Sequence, residues 1–504
     1  MPAPPGHASP PPPDDLPEQM QVRLAKRAVM LQRGIDPYPV SVPRTHELAD
    51  IVATYDPERL GVDHRTEHTV SVAGRVIFLR NTGKLCFVRL RAGDGAELQV
   101  MLSLADVGEQ QLADFKSLVD IGDLISIEGE VVTSRRGELS VRAVRWVMAA
   151  KALRPLPNEH RPLSEEARVR LRYVDMIVRE HPRTMVRNKA AVLKSLRRTL
   201  DERHFIEVET PVLQATNGGA TARPFRTHAN ALDLPMLLRI ALELDLKKAM
   251  TGGVDRVYEI GRTFRNEGLD STHAVEFSML EAYQAFGDYD EMAALTKVLV
   301  VNAAKTVGHT VIAGRDGTEI DLEGAWKHES ILDLVSAAVG EEVTMETSAQ
   351  TLIQHAARHD VALQPHWGAG DIIVELYEKL VEHTLITPTF VRDYPESMKP
   401  LAKAHRSLPG LGEAFDLIIN GVELVAAYSE MNDPVVQRER LTEQSLLAAQ
   451  GDPEAMELDE TFLRALEYGT PPAGGMGMGI DRLVMLLCGV GIRESILFPT
   501  IRPE

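Results

Sequence analysis

Apolar and polar positions change their rhythm twice along the chain. Over residues 18–34, Met20, Leu24, Val29 and Leu31 stand among arginines and lysines, which predicts a helix. From Val70 to about Met148 the runs shorten to VSVAGRVIFL, KLCFVRL, ELQVML, LISIEGEVV and ELSVRAV, separated by Gly-Asp, Gly-Lys and Arg-Gly turns. Five short strands with a helical insert near 108–120 predict a small β-barrel over 70–150. A proline-containing linker follows over 151–182. Met185, Val192, Leu193, Leu196 and Leu200 then predict an amphipathic helix over about 183–203. From 206 onward strands carry inserted helices without a regular βαβ repeat, which predicts an α+β domain on a mostly antiparallel sheet over 183–504.

Composition narrows the function classes. With 504 residues the chain needs two or three cores. No run approaches the ~18 uninterrupted apolar residues of a membrane helix, so no membrane insertion is expected. The proline-rich residues 1–17 predict a disordered leader with no apolar secretory segment, and 18–69 a helical extension. Two distant cysteines, Cys86 and Cys488, fit no metal-ligand spacing and suit a reducing cytoplasm. The net charge of -18 argues against non-specific coating of nucleic acid, although the near-neutral 71–151 block repels RNA least.

Three stretches carry candidate chemistry. VYEIGRTFRNE (257–267) and EFSMLEAYQAF (276–286) read as strand, loop, strand. Alternation puts Arg265 and Glu267 on one face of the first strand, and Phe277, Met279, Glu281 and Tyr283 on one face of the second. Such a floor suits a polyphosphate and a purine: the arginine fork takes a phosphate, the ring stacks on the base, and Glu267 accepts its amine. In FDLIINGVELVAAYSEMNDP (415–434), Asn420-Gly421 predicts a two-residue hairpin turn. Asp416 would then face Val425 and lie diagonal to Glu423, so that the two carboxylates could share a Mg²⁺. Glu430 reaches that face only if a bulge falls near Ala426-Ala427. Finally, PPAGGMGMGIDRLVMLLCGV (471–490) is a glycine-rich strand that runs into a helix at Leu483, with Arg482 projecting toward a second phosphate.

The order Glu207-Val208-Glu209-Thr210-Pro211, then FRNE, then GMGIDRL resembles motifs 1, 2 and 3 of class II aminoacyl-tRNA synthetases. GGATARPF (218–225), LRIALELDLKK (238–248), YSEMNDP (428–434) and IRESILFP (492–499) narrow the resemblance to lysyl-tRNA synthetases. RNTGKLCF, TSRRGELS and RNEGLDSTH look closest to the synthetase module of bacterial lysyl-phosphatidylglycerol synthases. The resemblance implies a class II antiparallel sheet flanked by helices, preceded by an OB-fold barrel that binds the anticodon. It implies a homodimer, paired through the 183–213 helix and strand, that activates lysine or a cationic analogue with ATP and Mg²⁺ and transfers it to tRNA.

By the same resemblance Arg265 holds the α-phosphate and the amino-acid carboxylate, Glu267 contacts adenine, Phe277 stacks on it, His273 places the phosphates and Arg482 grips the γ-phosphate. Asp416 and Glu423 ligate Mg²⁺. Gly219 and Glu243 lie at the amino-acid backbone, and Glu281, Tyr283 and Glu430 at its side-chain end. Phe87, Gln99 and Glu138 match positions that read splayed anticodon bases. The pattern departs from the family at Ala426 (usually Asn, which contacts the substrate carboxylate), at Val425 beside it, at Leu242 and Asp245, and at Thr272, Ala274 and Val275 of the motif 2 loop. These changes keep two other readings open: a specialised paralogue using a lysine analogue or feeding lysyl-tRNA to lipid or peptide modification, and a non-catalytic tRNA-binding relative.

Overall fold

A computed structural model describes residues 17–157, 162–270, 272–449 and 455–502. The proline-rich leader therefore lies, except for Pro17, outside the described residues. The chain divides into two compact units, Met1–Arg183 and Thr184–Glu504.

In the first unit, helix α1 (Glu18–Gln32) buries Arg23 and Met30, whereas Leu31 is exposed. Arg23 is satisfied by backbone carbonyls, donating to Ala152 O and Ile121 O at 2.9 Å each. Strands β1 (Arg65–Asn81), β2 (Leu85–Arg91), β3 (Glu97–Ser103), β4 (Leu124–Thr133) and β5 (Leu139–Ala150) close a barrel in the order β1-β2-β3-β5-β4. Helix α2 (Glu109–Leu118) is the expected insert. Alternation fills the interior with Val72, Val88, Leu90, Val100, Ile127 and Val141 and leaves Phe87, Arg89 and Gln99 outside. At Gly129 a Cβ would collide with the backbone of Arg142, so glycine permits the irregular β4–β5 crossing there.

Helix α3 (His181–Asp201) runs across the boundary, and most of it belongs to the second unit. Its sheet is built from β6 (Ile206–Glu207), β7 (Arg256–Phe264), β8 (Glu276–Ala285), β9 (Lys327–Ser330), β10 (Thr389–Arg392), β11 (Ala414–Ile419), β12 (Val422–Ser429) and β13 (Ala473–Gly479). The spatial order is β9-β10-β11-β12-β13-β8-β7-β6. Pairing is antiparallel from β10 to β7 and parallel only at the two edges, β9–β10 and β7–β6.

Helices α4 (Glu243–Thr251), α5 (Tyr289–Val307) and α6 (Ile480–Cys488) complete what the site requires. Leu280, Ala282, Val425, Ala427, Met476 and Met478 turn to one face of the sheet and form its core with residues of α3, α5 and α6. Their sequence neighbours turn to the other face. A sheet buried on one side thus presents a row of alternating side chains to a cleft on the other.

Candidate active site

That second face floors a cavity of about 470 Å³. From β8 come Phe277, Met279, Glu281 and Tyr283, the expected row. Arg265 and Glu267 reach the same cavity by a different route from the expected one. β7 ends at Phe264, so both residues stand beyond the strand. Hydrogen bonds from Arg265 N–H to Val275 O (2.9 Å) and from Asn266 N–H to Arg223 O (2.7 Å) hold this stem. The Arg265 guanidinium is 5.3 Å from the centroid of the Phe277 ring, and Glu267 accepts from Arg223 N–H at 3.3 Å. Burial lowers the Arg265 pKa, but a guanidinium stays charged in proteins.

The 420–421 turn is the expected one: Asn420 and Gly421 have φ of 56° and 68°, the left-handed pair of a type I′ hairpin. Ile419 faces Val422 and Ile418 faces Glu423, but Leu417 faces Val425. Leu424 is therefore the extra residue of a bulge. The bulge shifts Asp416 from Val425 to Ala426 and brings Ala426, Tyr428 and Glu430 onto the Glu423 face, where all four line the cavity. Val425, one of the departures from the family pattern, points into the core on the other face.

The glycine strand β13 contributes Gly475, Gly477 and Gly479. Helix α6 starts at Ile480, a turn earlier than expected, which puts Arg482 in its first turn. Arg482 donates to Glu423 O at 2.8 Å and lies 3.9 Å from the Glu423 carboxylate. Its other nitrogen is 3.3 Å from His273 Nε2, and His273 pairs with Asp270 at 2.7 Å. Beneath it, buried Asp481 accepts from Ser278 N–H at 2.8 Å and pairs with Lys189, locking α6 to β8 and α3.

The far end of the cavity is acidic. Gly219, with φ +84°, lets its loop approach Ala241 and Glu243 closely. Glu281 accepts from Leu242 N–H (2.8 Å) and from the Tyr283 hydroxyl (2.9 Å). Burial, reinforced by the Glu243 charge, pushes the Glu281 carboxyl up to about 7, and burial likewise raises the Tyr283 hydroxyl. Lys247, one helical turn after Glu243, donates to Glu243 at 2.6 Å, and its ammonium is 2.5 Å from Glu430. Burial alone would lower that ammonium's pKa; the two carboxylates outweigh it and raise it. Glu430 Oε2 is taken by Lys247, whereas Oε1 accepts no hydrogen bond among the described residues, and burial raises this carboxyl too. Burial holds Glu281 and Glu430 toward their protonated forms, and a cation placed among these three carboxylates would favour their charged forms.

Asp416 stands apart. It does not line the cavity, because Lys399, which does, caps it with contacts of 3.1 and 3.0 Å to its two oxygens. Among the described residues there is no cluster of three His, Cys, Asp or Glu that could hold a metal. With Lys399 on both its oxygens, Asp416 does not fit as the partner of Glu423 in a shared two-carboxylate magnesium site. Glu423 alone faces the cavity.

Of the departures from the family pattern, Ala426, Thr272 and Ala274 lie on the wall. Leu242 packs in the core and uses its N–H on Glu281, and Asp245 pairs with Lys248 away from the cavity. On the barrel, Gln99 Nε2 donates to Ser140 at 2.9 Å, Glu138 pairs with Arg89 at 2.9 Å, and the Arg80 guanidinium stacks 4.8 Å from the Phe87 ring. Lys247, Lys399, Asp481 and Arg89 are contributors that the sequence reading missed. The Glu243–Lys247 spacing of four on a helix was the available signal for one of them.

Comparison with known proteins matches residues 164–502 to the family model described as tRNA synthetases class II (D, K and N), and residues 70–148 to an OB-fold nucleic acid binding domain. The chain is similar to a lysine–tRNA ligase of Kineococcus radiotolerans, 54% identical over 97% of this chain and 98% of that protein. A lysine–tRNA ligase of Mycolicibacterium gilvum is 52% identical over 98% of this chain and 99% of that one. A lysylphosphatidylglycerol biosynthesis bifunctional protein of Mycobacterium avium is 47% identical over 97% of this chain but 41% of its own length. With its glycine strand, its arginine-bearing hairpin and its preceding OB barrel, this chain belongs to the class II aminoacyl-tRNA synthetases of the aspartate, lysine and asparagine group.

Proposed function

We propose that this chain is a lysine–tRNA ligase, which joins lysine to ATP as lysyl-adenylate and transfers the lysyl group to tRNA. The observation that carries the choice of amino acid is buried Glu430, whose Oε2 meets Lys247 while its Oε1 accepts no hydrogen bond among the described residues, in a cavity that also bears Arg265 and Arg482. An ammonium ligand would donate to that second oxygen; a neutral side chain of the same length would leave it unsatisfied. The relatives named lysine–tRNA ligase over nearly their whole length support the same assignment.

The reaction then follows from placement. Phe277 stacks on adenine and Glu267 accepts from its amine, while Arg482 and His273 hold the outer phosphates. Arg265, beneath the α-phosphate, offsets the charge that grows as the lysine carboxylate attacks phosphorus and pyrophosphate leaves. Gly219 and Glu243 meet the α-ammonium, and Glu281, Tyr283 and Glu430 the side chain. The terminal ribose hydroxyl of tRNA then attacks the acyl carbon and releases AMP. Magnesium would arrive with ATP and meet Glu423.

Phe87, Gln99 and Glu138 share the outer surface of the barrel and would read unpaired anticodon bases by stacking and edge hydrogen bonds. Exposed Ile206, Val212 and Leu213 on the motif 1 segment would be covered in a symmetric dimer, which light scattering checks. A cytoplasmic location suits two free thiols and the absence, among the described residues, of any helix long and apolar enough to cross a membrane.

A second reading, a paralogue for a lysine analogue, is favoured by Ala426, which leaves the wall one hydrogen-bond donor short of the family pattern. Amino-acid-dependent ATP–pyrophosphate exchange across the twenty amino acids, ornithine and β-lysine separates the two. Lysine is expected to support the fastest exchange; a response to ornithine or β-lysine alone would replace it, and no exchange with any would leave a binding module.

A further inference from the structure

We infer that Lys399 is a resident cation that keeps divalent metal off Asp416, so that this active site holds one metal ion fewer than its carboxylates would otherwise allow. The inference rests on the nucleotide reading of the cavity. The Lys399 ammonium contacts both Asp416 oxygens, at 3.1 and 3.0 Å. It also lies 4.4 Å over the Tyr394 ring and 5.7 Å over the Tyr428 ring. Aromatic faces on top of a carboxylate make a cage for a single monovalent cation, and desolvation strengthens both contacts. Asp416 is buried behind the lysine, and only 17% of the Lys399 side chain remains exposed.

A magnesium ion would need the same oxygens at about 2.0–2.1 Å and near-octahedral geometry. It would have to expel the ammonium, or sit beside it at a like-charge cost that low dielectric magnifies. Lys399 itself lines the cavity, so its charge joins Arg265 and Arg482 as a third fixed cation facing the phosphates. Asp416 becomes its counterion and Glu423 remains the hairpin carboxylate open to metal. Lys399 is thus a positioning residue: it sets the number of metal ions and the resting charge of the wall.

Bound Mn²⁺ per chain, counted by electron paramagnetic resonance on full-length protein with a saturating non-hydrolysable ATP analogue, tests this. Nucleotide binding is followed calorimetrically on the same samples. Lys399→Ser is expected to bind one more Mn²⁺ than the starting protein, Lys399→Arg the same number, and Lys399→Ser/Asp416→Asn to lose the extra ion. Asp416→Asn alone should leave the count unchanged, a result that stands even if Lys399→Ser does not fold. Equal counts with and without Lys399, or a loss of one ion in Asp416→Asn, overturn the inference while nucleotide binding persists. Failure of the starting protein to bind the nucleotide overturns this inference and the proposed function together.

Discussion

At the scale of single residues, selectivity rests on a few buried charges. Replacing Glu430 by Gln keeps its size and removes the charge that meets the ligand ammonium. A hydrogen bond to a charged group is worth about 1.5–3 kcal/mol, so the lysine KM in pyrophosphate exchange should rise roughly 10- to 150-fold while that of ATP stays put. Unchanged lysine KM and unchanged rejection of norleucine would remove Glu430 from the pocket.

Glu281 adds a pH dependence. Its folded pKa, about 7, lies above the ordinary carboxyl value, so below neutrality it is protonated and the pocket loses a negative charge. Lysine affinity should therefore strengthen from about pH 6 to pH 8, with calorimetry as the readout, and Glu281→Gln should flatten the profile. The sign for stability is opposite. Burial favours the protonated form in the folded state, so the contribution is present below the unfolded pKa and lost as pH rises through about 7. Among these residues, Lys247 could be anticipated from its place four after Glu243 on a helix. Lys399 could not, because it lies in a loop 17 residues before Asp416 and no periodicity links the two.

At the scale of elements, the hairpins decide which side chains meet. The Asn420-Gly421 turn and the alternating faces of β8 and β12 were readable because turn chemistry and the period of two are local rules. A bulge is not local: one extra residue at Leu424, rather than near Ala426-Ala427, reassigns every later side chain. The same limit explains why Arg265 and Glu267 were expected on a strand that ends at Phe264. In β13 a Cβ on Gly475 would overlap Glu430 and the Tyr283 ring. Gly475→Ala should therefore push both out of line and destabilise the fold by about 1–3 kcal/mol through overpacking. Denaturant midpoint and lysine KM measured together check this; a variant unchanged in both would show that β13 does not press on the pocket.

At the scale of the whole molecule, the chain joins an adenylating unit to a near-neutral barrel that carries Phe87 on its outer surface. Composition did not suggest RNA, since the net charge is -18; the motif order and the barrel did. Stacking of a base on an aromatic ring is worth about 1–3 kcal/mol. Phe87→Ala should then raise the tRNA KM for aminoacylation roughly 5- to 150-fold while leaving tRNA-independent pyrophosphate exchange intact. A parallel loss in exchange would mean that Phe87 supports the barrel instead.

The central claim is that one cavity receives a nucleotide at its arginine end and an ammonium at its acidic end. The affinity difference between a stable lysyl-adenylate analogue and its norleucyl counterpart, identical except for the terminal ammonium, tests it most directly. A pocket built around buried carboxylates should favour the lysyl compound on the order of 10⁴-fold. Equal affinities would mean that Glu281 and Glu430 do not face the amino-acid side chain.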